Sequence, residues 1–214
     1  MSTILTVKDI LTQIDNKTTK LGDLRKMAST IKKDHQLALQ LWQSGQFLAR
    51  QLAILIMDKK LLSQDVIDIL DKDMQEHPVA ERLQLMEWLM ANQLMKDKNT
   101  IALIESWRKS SSVLQRRTYW YYQGRLRWVG QTPPNNTEAL MACVERDILN
   151  EEPEVQWAMN FTTAQIGIFQ EEYRKRCIAI GLNTGLFKNE VVAKNCTPNY
   201  LPLYIEIQVA KQKK

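Results

Sequence analysis

The sequence predicts an all-α fold, and three observations carry that expectation. Apolar residues recur at helical spacing along the whole chain, and the period-two alternation of strands is nearly absent. Only 7 Gly and 6 Pro interrupt a composition rich in Leu, Met, Ala, Gln, Lys and Glu, all good helix formers. With 214 residues, 44% hydrophobic and 25% charged, the chain has ordinary globular values. A domain of that length buries about 70% of its unfolded surface, so residues 1–214 are expected to form one domain.

The elements follow in order. Ile4, Val7, Ile10, Leu11 and Ile14 form a first apolar stripe, and Leu24, Met27, Ala28 and Ile31 a second. Residues 38–56 hold two helices parted at Gly45, and Asp58 closes the second. Ser63 stands where an N-cap belongs, before Gln64, Asp65 and the stripe Val66, Ile67, Ile69 and Leu70. Pro78 opens the next helix as a first-turn proline, with Val79, Leu83 and Met86 as its expected core face. Residues 83–107 hold two helices with a stop at Asn99, and residues 113–144 another two, entered from Ser110, Ser111 and Ser112 and parted at residues 130–136. After Asn150, Pro153 among Glu151, Glu152 and Glu154 marks a further start, because carboxylates favour the positive end of a helix dipole. Gly185 is the last stop.

About ten to twelve helices in pairs of roughly 35 to 45 residues make the pattern of a HEAT-like helical repeat array, a curved α-solenoid. Residues 195–214 change character, with Pro198 and Pro202 around Tyr200, Leu201, Tyr204, Ile205 and Ile207. They are read as an extended C-terminal cap over the last repeat, kept soluble by Lys211, Lys213 and Lys214.

Several function classes drop out. Asp9, Gln13 and Asp15 break up any signal-peptide layout, and the longest apolar run, from Leu52 to Met57, is too short to span a bilayer. A cytoplasmic chain with no membrane partner is expected. Cys143, Cys177 and Cys196 form no CxxC pair, and only His35 and His77 could join them, so neither a disulfide framework nor a metal site is expected. No Gly-rich phosphate loop or nucleophile elbow occurs, and no cofactor is expected. Without a heptad seam, a monomer is the expectation.

Charge is distributed unevenly. Residues 106–137 contain Arg108, Lys109, Arg116, Arg117, Arg125 and Arg127 and no acid, which leaves 23 basic against 24 acidic residues elsewhere. Trp107, Tyr119, Trp120, Tyr121, Tyr122 and Trp128 are interleaved, a mixture suited to phosphate contact beside stacking. Trp120 and at least one tyrosine are expected in the core. Arg116 and Arg117 follow the serines into the first turns of a helix, where hydroxyls, backbone N–H groups and guanidiniums can converge on one phosphate.

Ala-Leu-Gln-Leu-Trp-Gln-Ser-Gly at 38–45, Phe-Leu-Ala-Arg-Gln-Leu-Ala at 47–53, Val-Gln-Trp-Ala-Met-Asn at 155–160, Ile-Gly-Ile at 166–168 and Cys-Thr-Pro-Asn-Tyr at 196–200 occur in that order. In these stretches the chain resembles the DNA alkylation repair family of HEAT-like repeat (AlkD-like) glycosylases. The resemblance implies a curved array that cradles double-stranded DNA. It also implies hydrolysis of the N-glycosidic bond of cationic N3- or N7-alkylated purines, a carboxylate and aromatic faces stabilising the sugar cation while an arginine fixes the backbone.

Carried onto this chain, the arginine falls on Arg117, with Arg116 beside it, at the family's spacing after Trp107. The downstream tryptophan falls on Phe161, which keeps an aromatic face without the indole donor. Where a Trp-Asp-x-x-Asp motif is implied, residues 76–83 read Glu-His-Pro-Val-Ala-Glu-Arg-Leu. The tryptophan position is then His77 or Pro78 and the carboxylate position Glu81 or Arg82. A short helix that the family carries before the Leu-Arg-Lys-Met-Ala segment has only residues 16–22 in its place.

These departures predict a divergent relative that binds DNA weakly, through phosphates and without sequence preference, and does not excise alkylpurines. The alternatives are an active alkylpurine glycosylase that uses Glu81, and a helical protein-interaction scaffold.

Overall fold

In the computed structural model, residues 6–14, 18–128 and 131–212 are described, and all their regular structure is helical. Ile4, Asp15, Asn16, Gly130, Lys213 and Lys214 lie outside them. The chain divides into two compact units, residues 1–106 and 107–214.

The first unit contains α1 (Val7–Gln13), α2 (Leu21–Ile31), α3 (His35–Gln43), α4 (Phe47–Ile56), α5 (Gln64–Met74), α6 (Val79–Asn92) and α7 (Lys98–Ser106). Side-chain caps explain three of its starts. The Thr6 hydroxyl accepts from the Asp9 N–H while the Asp9 carboxylate accepts from the Thr6 N–H. Asp34 caps α3 through the Leu37 N–H at 2.9 Å, and Ser63 caps α5 through the Val66 N–H. Gly45, at φ +70°, turns the chain between α3 and α4.

Asn99 is not the expected stop. The Asp97 carboxylate accepts its N–H at 3.0 Å, which makes Asp97 a start and puts Asn99 in the first turn of α7. Val79 also departs from expectation, being 48% exposed, because the face of α6 that is buried is Leu85, Met86, Leu89 and Met90.

Buried polar groups tie this unit together. Arg50, 3% exposed, donates to the Trp42 and Asp73 carbonyls, and the Trp42 indole donates to the Asp73 carboxylate at 2.7 Å. The Trp88 indole donates to the Gln51 carbonyl at 3.0 Å, joining α6 to α4.

The second unit contains α8 (Val113–Arg125), α9 (Thr137–Asp147), α10 (Pro153–Phe169), α11 (Arg174–Thr184) and α12 (Leu201–Gln212). Ser112 caps α8 through the Gln115 N–H, and Pro153 begins α10 as its first residue. The central α10 packs against α8, α9, α11 and α12. Its contact with α8 is close because Gly124 presents no Cβ, which would otherwise sit 2.6 Å from the Phe161 ring.

The C-terminal cap is free of regular structure only as far as Tyr200, and from Leu201 it is the helix α12. Pro202 falls in the first turn of α12, where no N–H is needed, so it starts a helix rather than preventing one. Leu201 and Ile205 bury the inner side of α12, and the Asn160 amide fixes the approach by donating to the Asn199 carbonyl at 2.8 Å.

Candidate nucleic-acid interface

The six cations of residues 106–137 go to different places. Arg127 is 1% exposed and donates to the Gln123 carbonyl at 2.8 Å and to side-chain oxygens of Gln123, Asn136, Thr137 and Gln170. Burial in this cage of neutral acceptors pushes its guanidinium down to about 10. It is an internal brace and leaves the set of expected DNA contacts, since a group so enclosed cannot reach a phosphate.

Arg116 is committed as well. Its Nε and Nη2 donate to the Glu151 carboxylate at 3.1 to 3.2 Å, and its Nη1 donates to the Ser110 and Ser111 carbonyls. Arg116 is therefore turned onto Glu151 and two serine carbonyls, while the Ser112 hydroxyl caps α8. Arg108 donates to the Cys143 thiol, with Lys109 exposed beside it. Both line a pocket of about 130 Å³ with Arg116, Arg146, Asp147 and Glu151. The Arg146 guanidinium, at 2.6 Å, holds the Asp147 carboxyl below the usual carboxylate range.

Arg117 and Arg125 belong to a different environment. The Arg117 guanidinium lies 5.0 Å from the Trp157 ring and 5.7 Å from the Tyr121 ring, while Arg125 lies 4.3 Å from Trp128 and 5.9 Å from Tyr121. Trp157 and Phe161 stack with centroids 5.6 Å apart and planes 8° apart, and Tyr121 closes on both.

The spacing explains the strip. Positions 117, 121, 125 and 128 follow one side of α8 and its C-terminal turn, and 157 and 161 one side of α10, so alternating guanidiniums and rings come together. Arg117 is 4% exposed, Trp128 is 38% exposed, and Tyr121, Arg125, Trp157 and Phe161 are half-buried. A cation held over ring faces is favoured by their quadrupoles, by up to about 2 kcal/mol when dehydrated. Half-buried rings offer stacking faces beside Arg125, the accessible guanidinium of the strip, while Arg117, almost as enclosed as Arg127, holds the rings in place from beneath.

Sequence reasoning named Arg117, Arg125 and Phe161 but passed over Trp157 as a contact. Its four-residue spacing from Phe161 was the available signal. Trp120, Tyr119 and Tyr122 are buried, as expected of core aromatics.

In the first unit, His77 Nδ1 and Glu81 Oε2 lie 2.7 Å apart, an i to i+4 pair on α6 and the turn before it. Arg82 is half-buried on the next position. The carboxylate at Glu81 is thus engaged locally, and Phe47 meets His77 edge-on. Among the described residues no three His, Cys, Asp or Glu side chains gather as metal ligands, and no helix is long and apolar enough to cross a membrane.

Comparison with known proteins fits this arrangement. The family described as DNA alkylation repair enzyme matches residues 15–183. No curated protein matches the chain significantly. A solved structure from a new family of proteins related to the HEAT-like repeat DNA glycosylases with affinity for branched DNA structures has a TM-score of 0.75. It is 16% identical, and the match covers 97% of this chain and 95% of that one. The fold is therefore of the HEAT-like repeat class.

Proposed function

The chain belongs to the DNA alkylation repair enzyme family, and from that premise we propose that it is a DNA-binding member without alkylpurine excision activity. The observation that carries the reading is the strip of Arg117, Tyr121, Arg125, Trp128, Trp157 and Phe161, whose rings and cations suit bases that are unpaired or unstacked. The affinity of the structural relative for branched DNA supports this, because branch points expose such bases. Binding is weak at physiological salt and independent of sequence, since stacking and phosphate contact read no base edges. The protein acts as a monomer in the cytoplasm.

Two features support the absence of excision. Glu81 is bound to His77, and Phe161 lies stacked on Trp157 where the family has a tryptophan face. A carboxylate aimed at the sugar cation is a large share of such catalysis, on the order of 10² to 10³ in rate by analogy with other electrostatic groups.

The test is fluorescence anisotropy on a labelled four-way junction and a matched duplex, with release of 7-methylguanine measured in parallel. The expected result is tighter binding to the junction, lost about tenfold in Trp157→Ala, with no base release. Equal binding to both DNAs, unchanged by Trp157→Ala, refutes the assignment of the strip. Base release abolished by Glu81→Gln instead establishes an active glycosylase.

A further inference from the structure

The first unit has a groove of about 440 Å³ at the C-terminal ends of α2, α4 and α6. Arg25, Lys32, Lys33, Lys59 and Lys96 line it, with no carboxylate in the lining. Among the described residues, Lys33 alone of these five pairs with a carboxylate, Asp58 at 3.2 Å. Arg25 lies 4.7 Å over the Trp88 ring, which fixes its guanidinium without neutralising it. Lys59 spends its ammonium on the Lys96 carbonyl, a neutral acceptor.

A simpler account is that lysines gather here to offset helix dipoles, and magnitudes decide against it. A helix C-terminus carries roughly half a negative charge, so three of them offset about one and a half units. Asp58 offsets one more. Five cations then leave a surplus of about two and a half positive charges in a concave surface, while the whole chain has a net charge of only +5.

Lys32 also holds an unfavourable backbone, φ 64° and ψ −151°, a region that only glycine adopts freely. A glycine there would fold with less strain, but it would remove one of the five cations.

We propose that this groove is a second nucleic-acid contact that takes backbone phosphates, separate from the strip on α8 and α10. It rests on the reading that the protein binds DNA, and it adds a site for the phosphodiester oxyanion. Nothing in the linear sequence gathers these residues, because positions 25, 32 and 33 come from α2 and the residues just after it, and 59 and 96 from the short turns that follow α4 and α6.

The test uses the full chain and a labelled four-way junction, with anisotropy read from 50 to 200 mM salt. Lys32→Glu with Lys96→Glu should weaken binding at least tenfold and lower the slope of log affinity against log salt by about 2, one unit per phosphate contact. Lys26→Glu, on α2 but outside the groove and with its side chain 85% exposed, should change neither.

Lys32→Gly should weaken binding while raising the melting temperature, which separates loss of contact from loss of fold. Unchanged affinity and slope in the double variant overturns the proposal, and so does an equal loss in Lys26→Glu. Inorganic tripolyphosphate, titrated by calorimetry, separates the sources of phosphate. If it binds the wild-type chain but not the double variant, while junction binding is unaffected, the groove takes free polyphosphate and the nucleic-acid assignment is overturned. A wild-type chain that binds no junction refutes the underlying DNA reading, whereas one that loses affinity in Trp157→Ala alone refutes only the groove.

Discussion

Gly124→Ala sets two terms of opposite sign against each other. Alanine is favoured over glycine in a helix by at most about 1 kcal/mol, less near the end of one, where Gly124 lies. Against this, the new Cβ would stand 2.6 and 2.7 Å from two carbons of the Phe161 ring and 3.2 Å from the Thr162 hydroxyl. Thr162 is fixed by donating to the Trp120 carbonyl, so the ring must move, and moving it breaks the stack on Trp157. Overpacking of this kind costs roughly 1 to 3 kcal/mol. The expected net effect is a loss of about 1 kcal/mol in urea unfolding followed by circular dichroism, with junction binding about tenfold weaker. Gly22→Ala is the control, since no atom lies within 4 Å of its Cβ position, and, lying likewise near a helix end, it should gain up to about 0.5 kcal/mol. If both variants gain stability and Gly124→Ala binds DNA normally, the close approach of α8 and α10 does not hold the strip in place.

Arg127→Lys keeps the charge but loses the planar fan of donors to Asn136, Thr137 and Gln170, and should cost about 1 to 3 kcal/mol. Its salt slope for DNA should equal that of the wild type, and a fall of about one unit would return Arg127 to the interface. The Arg176 guanidinium, 2.6 Å from Glu145 and 2.7 Å from Glu138, holds the Glu145 carboxyl below its ordinary 4.5. This pairing therefore contributes stability above about pH 4.5 and loses it as pH falls through the lowered value. Arg176→Met should be less stable than wild type by roughly 0.5 kcal/mol at pH 7, because the group is exposed and screened, and equally stable at pH 2. A difference that persists at pH 2 would mean that packing, not charge, is lost. Burial pushes the Cys177 thiol up to about 12, so iodoacetamide at pH 8 should label exposed Cys196 first and Cys177 last, with mass spectrometry mapping the order.

The fold was largely legible because its signals are local. Ser63, Ser112 and Pro153 each mark a helix start by chemistry contained within one turn, and the apolar stripes follow from the helical repeat itself. Asn99 misled because a polar residue that often ends helices was here held by the preceding Asp97. The interface was half legible for a different reason. Arg108 to Arg127 count as a single charged run along the chain, yet Glu151 and Gln170 lie far from their partners in sequence. Which arginines remain for a ligand depends on those distant partners. In the groove the dispersal is greater still, with its five cations spread from position 25 to 96 among acids that cancel them in any count.

Three glycines of the second unit share a further consequence. A Cβ at Gly124 would meet Phe161 on α10, one at Gly167 would meet Cys177 on α11 and Ile205 on α12, and one at Gly181 would meet Leu201 and Pro202 on α12. Each of these helices is thus keyed to a later one by the absence of a side chain. A surface arginine can migrate to a neighbouring position and still attract a phosphate, but a missing methyl group has no substitute elsewhere. The expectation for diverged relatives of this half of the molecule is that small residues persist at the spacing of positions 124, 167 and 181 where the pattern of charge does not.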